Sequence, residues 1–435
     1  MTTFEENVKK IDLPQNRNAD PWIRGLRQKA FSRFREIGIP TRKIEAWRHT
    51  PLERILKAPF FPEEAREAPL EDDHAFDRYN LPREGERRVV FLNGVLTERF
   101  SHAVPLGKGV VLEDLSDFLV RDAGKIRPFF SPQPEKEENG FSSLNTFRFQ
   151  KGFVVFVEPG VRVDLPIHLV FAGAGIPEKA PTIYPRLLVV LGKNSSANLV
   201  TSYVSVNKAP YLVDGVHEIY LGEGALLHWT LVQRHSEQAS SLLTSKCFLD
   251  AKSHLERAAF VRGGDVSHHE LTVEYRGEEA GTRDFGLSVL RGRSHVSQIF
   301  TVCHQASHCV TRQLYKNILS DEAQAEFNSL VHVAAGTRGS DSDQLNRNLI
   351  LSDSARAYSR PQLKIDADDV SATHGSATGQ LDEHELFYLR SRGLEASLAR
   401  FVLAYGFAEE ILEKIKPDSM RWQLELLVRK AIEAM

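Results

Sequence analysis

His374 has the best claim of any side chain in this sequence to metal chemistry. It sits in a run of small residues, SATHGSATG (371–379), with Gly375 beside it. In such a run a side chain can stay exposed, and imidazole is a good ligand for iron as well as zinc. A histidine in a loop is more often structural than ligating, and one histidine cannot hold a cluster alone, so a metal role demands ligands from another chain. CHQASHC, Cys303 to Cys309, is the second candidate. Metal–ligand bonds of about 2.1–2.3 Å need ligand atoms within about 4 Å of one another. In an extended strand His304 and His308 would lie about 13 Å apart, and Cys303 and His304 would face opposite sides. They converge only if 305–307 turns. The geometry favours buried thiols and hydrogen-bonded histidines in stacked strands, leaving His304 and Cys309 as weaker metal candidates. Asp368 and Asp369 offer oxygen ligands but read better as turn residues that satisfy backbone amides.

Other chemistry lacks its signature. The sequence has no Walker A loop, no G-x-S-x-G elbow, no H-E-x-x-H and no C-x-x-C. His228, His235, His268 and His269 have no ligand-like spacing and read as ordinary core or surface residues. The Arg87-Arg88 pair is too short to signal nucleic acid.

The elements around His374 are well marked. Polar and apolar residues alternate over 362–367, the pattern of a half-buried strand. Asp368-Asp369 breaks it, and the small-residue run then reads as a loop ahead of a helix. Asp382 is a good N-cap, Glu385 follows three residues on, and Leu381 and Leu386 occupy the staple positions. Gly393 can close the helix in a left-handed conformation. One histidine is therefore expected on a tight loop between a strand and a helix start.

Upstream of that loop, short strands and polar turns repeat. Similar units begin at Leu191, Leu221, Leu249, Leu319 and Leu351, and two more, at Tyr275 and Leu290, fill the long interval. A period near 30 residues points to a β-solenoid, with a β-sandwich as the rival. Residues 20–38 read as a helix with Pro21 at its first position, 41–50 as a second short helix, 89–92 as a strand and 132–140 as a charged surface loop. The C-terminal segment is helical. Pro417 interrupts it, Asp418 can cap a last helix, and Leu424, Leu427, Val428 and Ala431 form a stripe on that helix. The stripe packs on its own domain or serves as a docking face, the first being the commoner case.

With 435 residues the chain can bury a large core. A net charge of −3 gives no global field for nucleic acid or anionic lipid. Three cysteines make no disulfide framework and fit a reducing compartment. The N-terminal residues read as neither a secretory signal nor a transit peptide, and no apolar run approaches the roughly 20 residues that cross a bilayer. The expectation is a cytoplasmic protein.

PQLKIDADDV (361–370), the His-Gly loop and LFYLRSRG (386–393) resemble the SufB/SufD family of iron–sulfur cluster scaffold components, and the SufD branch most closely. GIPTRKIEAWRHTPL (38–52), VVFLNG (89–94), SLNTF (143–147) and VEPGVRVDLPIHLVF (157–171) extend the likeness over nearly the whole chain. It implies a mainly β fold: a right-handed parallel β-helix core over 141–379, an N-terminal helical and mixed region over 1–140, and a C-terminal helical domain over 380–435. It implies a non-catalytic scaffold subunit that pairs with SufB through the β-helix and receives the ATPase SufC at its C-terminal helices. A homodimer is possible in the absence of SufB. In this family the histidine at 374 faces a cysteine and a glutamate of SufB, where a transient cluster or iron forms, with no permanently bound cofactor. Histidine and cysteine also occur near 304 and 309 in SufD relatives. Ala372 stands where the family often has a cysteine, which weakens a metal role for the loop. The absence of any cysteine after Cys309 separates the chain from SufB itself. The alternative from another class, a polysaccharide-active β-helix enzyme, sits poorly with the N-terminal sequence and the capped C-terminal helices.

Overall fold

A computed structural model of the chain describes residues 2–14, 20–62, 70, 76, 87–102, 107–129, 139–150, 152–175 and 180–435. Most of the expected charged loop at 132–140 lies outside the described residues. From 152 to 379 the chain runs strand, corner, strand, corner through about seven turns of a parallel β-solenoid. Successive strands fall alternately on two sheets, of 11 and 10 strands. Strands one coil apart pair in parallel, so each residue stacks on its equivalent in the next coil. One such row is Val157, Leu191, Leu221, Leu249, Tyr275, His304, Val333 and Ile365. Its apolar members from Val157 to Val333 belong to the buried core between the sheets. Burying one such aliphatic side chain is worth about 1.5–3 kcal/mol, so the ladder, not local propensity, holds the coils together.

The repeat units divide between two corners. Leu191, Leu221, Leu249 and Tyr275 end strands of one sheet, whereas Leu290 and Leu319 end strands of the other. Each coil thus carries two similar units. The long interval between Leu249 and Leu319 is a change of corner, not a gap in a single series.

The first corner turns through one left-handed residue per coil: Asn194, Gly224, Lys252, Glu279 and His308, with φ from 56° to 68°. The amide of each donates to a carbonyl of the next corner, as Gly224 N does to Ala251 O and His308 N to Arg338 O, both near 2.8–2.9 Å. A stacked hydrogen bond offsets the strain of φ > 0 in the non-glycine residues.

Helices cover both outer faces. The helix Pro21–Ile37 starts as expected, with Asp20 Oδ1 accepting from Trp22 N, and stops at Gly38 (φ 66°). The segment 41–50 forms only a 3-10 turn, Glu45–Trp47. Its Trp47 is buried and stacks on His268 at 3.6 Å, so packing on the sheet overrides helix continuation. The helix Gly140–Arg148 and the strands Arg87–Leu92 and Val110–Asp114 complete the N-terminal end; both strands join the solenoid sheets.

Of the C-terminal helices Glu383–Ser391, Ala396–Leu412 and Asp418–Glu433, the last two lie on the sheet that ends at residue 379, and the first packs against the second. Asp382 caps the first of them, and Gly393 follows at φ 93°. Asp418 is the first residue of the last helix, not its cap. Leu424, Val428 and Ala431 pack with Val200, Phe260, Leu287 and Ile318, so this stripe belongs to the chain's own core. Lys316 Nζ donates to Phe407 O at 2.9 Å and pairs with Glu410, pinning the helices to the coils.

Strands cover the N-terminal end of the solenoid, whereas the C-terminal end is open. Arg356–Ile365 and Val370–Gly379 are the terminal strands of their sheets, and among the described residues no strand pairs with their outer edges. No residue of either strand is buried, although most of the preceding coils are.

Candidate functional site

His374 is not on a loop. The run 371–379 forms the strand Val370–Gly379, paired in register with Ser340–Ile350. Its small residues lack apolar alternation because no coil lies above them to be packed against. By the two-residue alternation of a strand, His374 sits on the interior face, one rung above Gln344. Because that rung is the last, the imidazole is exposed.

The row beneath it is polar. Reading inward from His374 come Gln344, Gln313, Asp284, Arg257 and Trp229, each in register with the next. Arg257 and Asp284 form an ion pair at 2.8 Å, with side chains 3% and 1% exposed. Tyr315 donates to Asp284 Oδ2 at 2.8 Å. The guanidinium lies 5.0 Å above the Trp229 ring. Burial opposes the Arg257 charge, but Tyr315 and Asp284 outweigh it and hold the group protonated.

Nearer the open end, Gln344 Nε2 donates to Ser329 Oγ at 2.8 Å, and Ser329 Oγ donates to Gln313 Oε1 at 2.7 Å. Both contacts point back into the preceding coils. Gln344 Oε1 is left buried and without a hydrogen-bond partner among the described residues. It is an acceptor one rung below His374 and can take a ring N–H from a histidine whose other nitrogen ligates a metal. At the same open end His332 Nε2 lies 2.9 Å from Asp366 Oδ2. Nothing in the sequence spacing of that pair marks it. Asp368 and Asp369 lie in the last corner, where the Asp369 carbonyl accepts from Gly339 N.

The structure does not bring His304 or Cys309 to this place. His304 fills one rung of the otherwise apolar corner row, fully buried, with Nε2 2.8 Å from Thr311 Oγ1 and its ring edge-on to Tyr275. Burial lowers its pKa to about 4, so the ring is neutral; Nε2 is already hydrogen-bonded, while Nδ1 is buried without a partner among the described residues. Cys309 is buried at the turn, its Sγ 3.5 Å from Gly277 O, and burial pushes its thiol up to about 11. His308, between them, occupies the left-handed corner position. Residues 305–309 do turn, but into a stacked corner. Among the described residues no group of three or more His, Cys, Asp or Glu is arranged to hold a metal ion. Within those residues His374 is one exposed imidazole, not a complete site.

These burials predict thiol reactivity. Cys247 and Cys309 are fully buried, and Cys247 is raised to about 12 by burial; Cys303 is half-buried. With iodoacetamide at pH 8, Cys303 is expected to label first and the other two only on unfolding, as peptide mass spectrometry would show. Early labelling of Cys309 would contradict its place in the core.

Two family matches cover most of the chain. Residues 2–169 match the SufBD protein N-terminal region, and residues 174–407 match the SufBD core domain of the SUF system for FeS cluster assembly. An iron–sulfur cluster assembly SufBD family protein of Synechocystis sp. is 31% identical over 92% of this chain and 89% of its own length. The iron–sulfur cluster assembly protein SufD of Escherichia coli is 26% identical over 91% of this chain and 90% of its own. SufD of Bacillus subtilis is 24% identical over 75% of each.

Proposed function

Since the chain belongs to the SufBD family of iron–sulfur cluster assembly proteins, we propose that it is a non-catalytic, cytoplasmic scaffold subunit of the Suf assembly complex. It pairs with SufB through the open end of the solenoid and receives the ATPase SufC at its C-terminal helices. The observation that carries this reading is the uncovered last coil. Two ten-residue parallel edges, Arg356–Ile365 and Val370–Gly379, end their sheets unpaired among the described residues. Such edges invite strand addition by a similar partner. His374 lies on the second of these edges, on the interior row, so ligands from SufB can complete what one imidazole cannot. The nascent cluster is cargo at this junction, not a resident group, and Gln344 Oε1 can hold the imidazole in one tautomer while it ligates.

For the second partner, Phe387, Tyr388, Leu398, Val402, Trp422 and Leu426 are exposed on the C-terminal helices, away from the stripe that packs on the solenoid. Exposed aromatic groups in this number suit a docking face. The last two of these helices rest on the same sheet that ends at the His374 strand. A movement driven at SufC therefore has a rigid path to the junction.

Co-expression with SufB and SufC, followed by mass determination and metal analysis of the purified material, tests the assignment. A defined complex containing all three chains is the expected result. A chain that elutes alone, or solely as a homodimer, in the presence of both partners overturns the scaffold reading.

A further inference from the structure

The inner face of the sheet that ends at Val370–Gly379 changes character along the solenoid. Three of its rows begin apolar, at Ile167, Leu169 and Phe171, and end polar, at His374, Ser376 and Thr378; each step between is one coil, in register. The change sets in before the mouth. One rung below it, the rows hold Gln344, Asn346 and Asn348, which are 0%, 0% and 4% exposed. The last strand already covers them, so exposure does not account for their polarity. The facing sheet keeps its ladder: Phe327, Val331 and Val333 are buried in the apolar core, and Leu363 packs against it on the last strand.

Some of this polarity is satisfied within the stack. Asn317 Nδ2 donates to Asn348 Oδ1 at 2.8 Å, and Asn348 Nδ2 donates to Asn346 Oδ1 at 2.9 Å and to Thr378 Oγ1 at 3.1 Å. The rest is not. Ser340 Oγ, Ser342 Oγ and Gln344 Oε1 are buried without a hydrogen-bond partner among the described residues, and so is Ser359 Oγ on the facing last strand. Such groups cost free energy until something pairs with them. A coil built to be sealed by an apolar neighbour would carry leucine or valine at these rungs and gain from their burial.

We infer that the mouth of the solenoid fits a polar, hydrated face: the strand that adds to Val370–Gly379 presents hydroxyl, amide or carboxylate side chains, not aliphatic ones, above His374, Ser376 and Thr378. The inference rests on the pairing with SufB proposed above and gives the chemistry of the surface SufB must bring. Backbone hydrogen bonds along the edge supply the attachment. Water held between the two polar rungs bridges the groups that do not meet directly. A joint of this kind separates without exposing a large apolar area, which suits a scaffold that releases its cargo.

Ser376 is exposed on the last rung and tests the inference. Ser376→Thr and Ser376→Val give side chains of nearly the same shape that differ in one hydroxyl. Neither should move the melting midpoint of the isolated chain, because the position is exposed. Affinity for purified SufB, measured by calorimetric titration of the full-length chain, is expected to stay near the parent's for Ser376→Thr. For Ser376→Val it should fall about tenfold, the effect of leaving a partner group buried and unpaired. An aliphatic joint would reverse the order, since valine would then extend a ladder. Ser376→Val binding as tightly as Ser376→Thr, or more tightly, overturns the inference and leaves the pairing with SufB standing. A parent chain that does not bind SufB overturns both, so the parent titration tells the two failures apart.

Discussion

Replacing His374 with alanine is expected to cut cluster formation by the complete complex at least about tenfold while the chain stays folded and assembled. Changing a residue that merely orients a metal ligand costs about 10–100-fold in metal affinity or activity; losing the ligand should cost no less. The fold should not notice. The imidazole is exposed on the last rung, and exposed substitutions usually fall within about 0.5 kcal/mol. His384, exposed on the helix that follows, is the matched control. Cluster yield followed by absorbance, with sulfur donor and both partners present, should drop for His374→Ala and hold for His384→Ala. If the His374→Ala complex makes clusters as well as the parent, this histidine is not a ligand, and the open end is only a joint between scaffolds.

Exposure explains which parts of the architecture could be read from the residues. The solenoid was legible because its ladder repeats leucine and other apolar side chains at the coil period. The capped helix was legible because Asp382 and Gly393 act locally. The last strand was not. Residues 371–379 have the composition of a loop, since an uncovered coil gains nothing from large apolar groups. The corners were legible as polar turns of the repeat units, but the residue that turns each of them was not. Lys252, Glu279 and His308 take the left-handed position where a glycine would have announced the turn, and stacked amides make that possible. The polar row also escaped notice, because a charged residue inside a strand breaks the alternation by which strands are found. Its signal lies in the register: Trp229, Arg257, Asp284, Gln313, Gln344 and His374 recur at the coil period. Reading at that period, instead of along each strand, would have placed His374 on the interior face.

The same row sets up the largest stability effect. Asp284→Ala is expected to destabilise the folded chain by about 3–5 kcal/mol, the usual cost of stranding one member of a buried pair. Arg257 cannot discharge by losing its proton, and its side chain is 3% exposed. Tyr315 would lose its acceptor as well. Removing both charges is a different experiment. Two well-packed apolar residues, as in Arg257→Met with Asp284→Leu, should recover most of the loss, since a buried ion pair rarely exceeds an apolar pair in net stability. The two rungs are adjacent, so the pair would then serve to fix which coil stacks on which, and with it the height at which Gln344 meets His374. Denaturant midpoints of the parent, the single and the double variant would decide between these roles. A single variant within about 1 kcal/mol of the parent would mean that water reaches Arg257, and the interior row would then be a wet channel rather than a packed ladder. A double variant as unstable as the single would mean that the ionic pair itself stabilises the stack.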